Sequence, residues 1–242
     1  MPLVKINPLQ ARRFAQACGR RVKTDPVDAE MLAQMAASLQ PDLTPIKDQT
    51  IDVLKELLAA RRALVKDRTA TLNRSKSLTL ALLKRQSDQK LKQITARIAA
   101  IDAECRKLTT ALPHLKARLD IRTSIPGLGE ITALALLTDM PELGSMDARQ
   151  AASLAGLAPV TRQSGQCRGK AFIQGGRATL RQAIYMPALV AIRFNPPLKI
   201  KYDALRAAGK PAELALTAIM RRIMTTANAR LRDNRKWTET MA

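Results

Sequence analysis

Asp25 and Asp28 stand three residues apart in "KTDPVDAEMLA", with Pro26 between them where a helical pattern begins. Two kinds of chemistry fit that spacing. Asp25 can cap the helix, with Pro26 as the favoured first helical residue and Asp28 in the first turn, where the helix dipole favours an acid. Residues i and i+3 also share a helix face, so both carboxylates can reach one Mg²⁺. The two roles are compatible. Ser164 lies in "RQSGQCRGK", a glycine-rich stretch with Arg162, Arg168 and Lys170 close in sequence. A serine that attacks a phosphodiester needs cations to stabilise the charged transition state and a route for its proton. The plainer reading of the same stretch is a Ser-Gly turn. The single histidine, His114, follows Pro113 away from any nucleophile and reads as a surface-loop residue. His-based zinc sites are excluded by count. Cys18, Cys105 and Cys167 have no metal-ligand spacing and read as reduced thiols of a cytoplasmic protein.

Charge points the same way as the serine. The 242 residues carry 41 Lys+Arg against 20 Asp+Glu. A chain this basic is expected to bind polyanions, nucleic acid first among them. The excess lies in the last two thirds: residues 1–48 hold 7 basic and 5 acidic side chains, residues 49–120 hold 16 and 7, and residues 121–242 hold 18 and 8. Aromatic residues make up only 2%, so phosphate contacts fit better than base stacking. No apolar run reaches the roughly 18 residues that span a bilayer, and no membrane partner is expected.

These residues must be positioned by a mostly helical chain. Residues 3–6, "LVKI", read as a short strand; Asn7–Pro8 then open a helix that Gly19 closes. A second helix is predicted from near Pro26 to about Leu39. No proline falls between Pro45 and Pro113, which predicts long helix. Leu91, Ile94, Ile98, Ile101, Cys105, Leu108 and Leu112 form a heptad seam, and Ile51, Leu54, Leu58, Val65 and Leu72 a looser stripe. The polar "KRQSDQK" at 84–90 reads as the turn of an antiparallel hairpin, packed within the chain or between protomers. At Thr123, "TSIPGLGEITALALLTDMPEL" resembles a helix-hairpin-helix element. Gly127 and Gly129 would let backbone N–H groups approach a phosphate; the alternative is a glycine turn before a core helix. A helix around 147–155 ends at Gly156, and residues 157–176 read as loop among Arg162, Arg168, Lys170, Arg177 and Arg181. A helix from about Ala178 to Arg193 and two more around Gly209–Lys210 complete the chain.

Three motifs in order, "NPLQARRFAQACGRRVKTDPVDAEMLA", "SIPGLGEITALALL" and "LAGLAPVTRQSGQCRGKAFIQGGRATLRQAIYMPAL", together resemble the DEDD transposases of the insertion-sequence one-ten family, whose relatives include Piv-type invertases. The resemblance implies three parts. Residues 1–45 would belong to an α/β RuvC-like nuclease domain, 46–120 to a coiled-coil hairpin, and 121–242 to a helical transposase domain. It gives Asp25 and Asp28 the role of the last two of four acids around Mg²⁺, and Ser164 the role of nucleophile in a covalent phosphoserine link to DNA. Partners implied are DNA, a second copy through the coiled coil, and in several members a structured guide RNA. The location implied is the bacterial cytoplasm, on the nucleoid. The family's first acid, in a "GIDVSK"-like strand, and its second, in an "EATG"-like motif, have no match in these residues. The expectation is therefore an N-terminally shortened copy, catalytically weak or dead, that still binds nucleic acid; the alternatives are a gene start set too late, or a non-catalytic regulator that pairs with a full-length transposase.

Overall fold

The computed structural model describes residues 3–4, 6–19, 24–41, 48–160, 163–164, 167–168 and 172–238. The chain is mainly α-helical and falls into two compact units, Met1–Asp48 and Gln49–Ala242. In the first unit α1 spans Pro8–Ala17, and the Asn7 side chain accepts the Leu9 N–H at 2.9 Å, as the Asn-Pro start requires. α2 spans Asp25–Leu39 and buries Met31 and Met35. Two readings are corrected here. The N-cap position of α2 is Thr24, whose side chain makes no capping hydrogen bond, and Asp25 is already the first helical residue. Leu3, Val4 and Ile6 form no strand. Extended residues become a strand only by pairing, and no partner segment exists among the described residues of this unit.

The second unit begins with two long helices, α3 (Gln49–Ser75) and α4 (Ala81–Ala111), packed against each other. Ile51, Leu54 and Leu58 meet the seam side, where Ile94, Ile98 and Cys105 are buried. The pairing is thus within one chain. The turn lies at residues 76–80, and 84–90 is continuous helix. A polar run is a solvated helix face as readily as a turn, and Lys, Arg and Gln are good helix formers. What ends α3 is serine: the Ser75 and Ser77 hydroxyls donate to the Leu72 and Arg74 carbonyls at 2.8 and 3.0 Å, competing with the helical ladder. Near this end the stripe drifts, so that Thr71 is buried while Leu72 is exposed.

A further helix, α5 (Pro113–Thr123), is missing from the sequence reading. Pro113 both ends α4 and starts α5, as the first helical position allows. His114 therefore sits exposed on a helix and not in a loop. α6 (Glu130–Asp139) is buried at every residue from Ala133 to Asp139. Its Ala133, Leu134 and Leu137 pack with the base of α3 and α4 and with α5, while Leu136 packs into a second core. That second core is built by α7 (Ala148–Leu154), α8 (Ala178–Phe194), α9 (Pro196–Ala207) and α10 (Ala212–Arg232). Between α7 and α8 the expected loop contains four two-residue strands: β1 Pro159–Val160, β2 Gln163–Ser164, β3 Cys167–Arg168 and β4 Phe172–Ile173. β1 pairs antiparallel with β4, and β2 with β3, giving one hairpin nested inside another. Strands of two residues are too short for periodicity to reveal that pairing.

Candidate functional site

Ser164 is the last residue of β2, and in register it pairs with Cys167, two residues of sequence lying between them. The arm that carries it is anchored at a neck. Gly156, just before β1, and Gly176, just after β4, cross backbone to backbone with φ of +66° and +71°. A Cβ on Gly176 would collide with the Gly156 backbone, so both positions require glycine for space as well as for conformation. Arg181 donates from Nη1 to the Gly156 and Gly175 carbonyls at 3.1 and 3.3 Å, and the Arg177 N–H donates to the Leu154 carbonyl at 2.8 Å.

The basic residues expected around the serine therefore divide. Arg181 staples the neck. Arg177 holds Glu142 in a two-pronged pair at 2.9 and 3.0 Å, and its Nη1 also donates to the Asp139 carbonyl. The Glu142 hydrogen bond holds the Arg177 guanidinium above its ordinary pKa, against the opposing effect of burial. Both arginines thus have structural partners of their own. Arg168 lies on β3, across from Gln163. Arg162 and Lys170 fall outside the described residues.

The two glycines of "PGLG" also part company. Gly127, at φ +92°, lies against α8: an added Cβ would sit 2.9 Å from the Pro187 carbonyl oxygen and 3.2 Å from Ala191 Cβ. Close helix approach is reason enough for that glycine. Gly129 caps α6, and a Cβ there would meet nothing within 4 Å. No side chain caps this end, so the first N–H groups of α6 are not satisfied by one. α5 and α6 pack against each other across this turn.

Asp25 and Asp28 share the first turn of α2, Asp25 exposed and Asp28 half-buried. Neither is ion-paired with another described residue. Two carboxylates in one helical turn are hard oxygen donors of the kind Mg²⁺ takes, and they fit as part of a ligand set. Among the described residues no group of three or more metal-ligating side chains is assembled.

The sequence reading missed Arg122 altogether. It is fully buried in α5, donates from Nη1 to the Arg118 carbonyl at 2.9 Å, and leaves Nε and Nη2 without a partner. Burial, with neighbouring Arg118 adding to it, pushes this guanidinium down to about 9. Asn228 on α10 was also missed. It accepts the Gly144 N–H at 2.8 Å and donates to the Met146 carbonyl at 2.7 Å, fixing the loop that presents Glu142. Nothing local in sequence announces either contact, since the Asn228 partners lie more than eighty residues away.

Comparison with known proteins agrees along the chain. Residues 120–203 match the model of the transposase IS116/IS110/IS902 family, and residues 1–84 match a DEDD transposase model of IS110 elements. The chain is 32% identical over 238 residues to the pilin gene-inverting protein of Moraxella bovis, covering 95% of this chain and 72% of that protein. It matches the same protein of Moraxella lacunata equally well. A 42 kDa protein of insertion element IS900 from Mycobacterium paratuberculosis is 39% identical over 121 residues, 48% of this chain and 30% of its own length.

Proposed function

The chain belongs to the IS116/IS110/IS902 family of transposases, and from that premise we propose that it binds DNA and exchanges its strands, with Ser164 as the nucleophile. The observation that carries the reading is the alignment across 95% of the chain with a protein named for inverting a gene. In the proposed step the Ser164 hydroxyl oxygen bonds to a DNA phosphorus as its proton leaves. The bond from phosphorus to one deoxyribose oxygen breaks, and that oxygen departs as a hydroxyl end. One phosphodiester has replaced another, so attack by a different hydroxyl end reverses the step and joins new strands. The position of Ser164 at the end of β2, on an arm held by Gly156, Gly176 and Arg181, supports this role, because a nucleophile must be held in place to attack. A bound Mg²⁺ would supply positive charge against the negative charge that develops on a reacting phosphate. Asp25 and Asp28 would hold it together with ligands from outside this pair. Gly129, with the open end of α6, and Arg162, Arg168 and Lys170 would position the phosphate backbone. The pairing of copies through the hairpin and a guide RNA belong to the same proposal.

The test is a covalent adduct. The chain is incubated with Mg²⁺ and a supercoiled plasmid carrying the DNA that flanks its gene, then denatured and electrophoresed. A protein–DNA band is expected with the parent chain and none with Ser164→Ala. A band that persists in Ser164→Ala removes the serine from its role. Salt-dependent DNA binding without any adduct favours the non-catalytic regulator instead.

A further inference from the structure

The charge of the α3–α4 hairpin is concentrated at its far end. Residues 66–97, which include the turn, hold nine basic and two acidic side chains, whereas 49–65 and 98–111 together hold five and four. The two halves also differ in how their cations are used. Near the base, Arg61 pairs with Asp102, Arg62 with Asp139, Arg106 with Glu130 and Lys107 with Glu104. In the far half no cation is ion-paired with a described residue. Three of them share one face: Lys84, Arg85 and Lys92 line a shallow open depression on α4 with Asp88 and Gln89. Lys84, Asp88 and Lys92 follow at i, i+4 and i+8, so the cations span about 12 Å along the helix axis, the rise of roughly three to four base pairs. A face kept only for solubility does not require unpaired cations gathered in a hollow, since interspersed signs serve that purpose.

We propose that the Lys84–Arg85–Lys92 face is a second docking surface for duplex DNA, which grips the phosphate backbone away from the Ser164 arm. The inference rests on the DNA-binding reading above and adds to it where the duplex is held. Contacts of this kind carry no sequence information, and they fix register and raise affinity.

The experiment measures binding of the full chain to a 30-base-pair DNA duplex of arbitrary sequence over a salt series. The triple variant Lys84→Gln/Arg85→Gln/Lys92→Gln is compared with Lys55→Gln/Lys107→Gln/Lys116→Gln, which removes equal charge near the base. All six positions are exposed, so folding should survive, and circular dichroism checks it. The slope of log K against log salt should fall by about 2.7 for the far-end variant, with affinity weakened about 10–100-fold at 0.1 M salt. The base variant should keep most of its slope. Equal losses in both variants would mean diffuse charge and overturn the proposal, as would an unchanged far-end variant. A loss seen only with an RNA duplex of the same length would overturn the assignment to DNA. If the parent chain binds no duplex at all, it is the underlying DNA-binding reading that fails.

Discussion

Single side chains in this molecule divide by whether their partners are near in sequence or far. Asn7, Gly19 and Gly156 were legible because a cap or a helix end is written within a few residues. Arg177 and Arg181 were not: as cations near a candidate nucleophile they looked available, but Glu142 and the Gly156 carbonyl that engage them come from distant segments. Arg122 is the extreme case, a charge in the core with two of its nitrogens, Nε and Nη2, left without a partner. Replacing such a charge with an apolar side chain of similar length removes a desolvation cost. Arg122→Met should therefore leave stability unchanged or raise it by about 1–3 kcal/mol in chemical denaturation at pH 7. The pH dependence gives a second readout. The folded value is depressed to about 9, so between there and the ordinary arginine value the unfolded chain binds more protons. The penalty is then full below pH 9 and relieved as pH rises. The advantage of the Met variant over the parent should shrink on going from pH 8 to pH 10. An advantage that stays constant would mean Arg122 keeps its proton throughout.

At the scale of elements, periodicity revealed the long helices and failed at their turn. The heptad seam on α4 is written in every third and fourth residue, but a polar stretch does not say whether it is a bend or a solvated face. Proline separates the two. Ala81 is the first residue of α4, and Leu80 before it is already extended at φ −72°, ψ 129°. Ala81→Pro should be tolerated, whereas Gln86→Pro, inside the helix, should cost about 3 kcal/mol and reduce helicity by circular dichroism. The reverse order would restore a turn at 84–90. The nested hairpins escaped detection for another reason: strands of two residues are too short for alternation to show. Their neck offers a sharper test. Gly176→Ala forces a left-handed backbone and a clash with Gly156, and should lower the melting temperature by several degrees. Alanine at Gly129, where a Cβ meets open space, should leave melting nearly unchanged.

For the whole molecule, the helical class and the order of the motifs were readable from end to end. The division of the chain was less so. A boundary near residue 45 was expected from the prolines, and the compact division falls between Asp48 and Gln49. The expected hairpin and C-terminal parts share α6, whose residues enter both cores. Elements that share a core unfold together. Scanning calorimetry should then show one cooperative transition for residues 49–242, and Leu134→Ala should lower it as a whole without splitting off a separate hairpin melt. A resolved second transition within that stretch would refute the shared core. One practical consequence concerns anyone building chimaeras in this family. A graft that exchanges the hairpin at residue 112 would sever α5 and α6 from the surface they were shaped to fit. A junction after Asp139 carries the recipient's mismatch into the other core. The same ten residues of α6 thus tie the hairpin to the α7–α10 core.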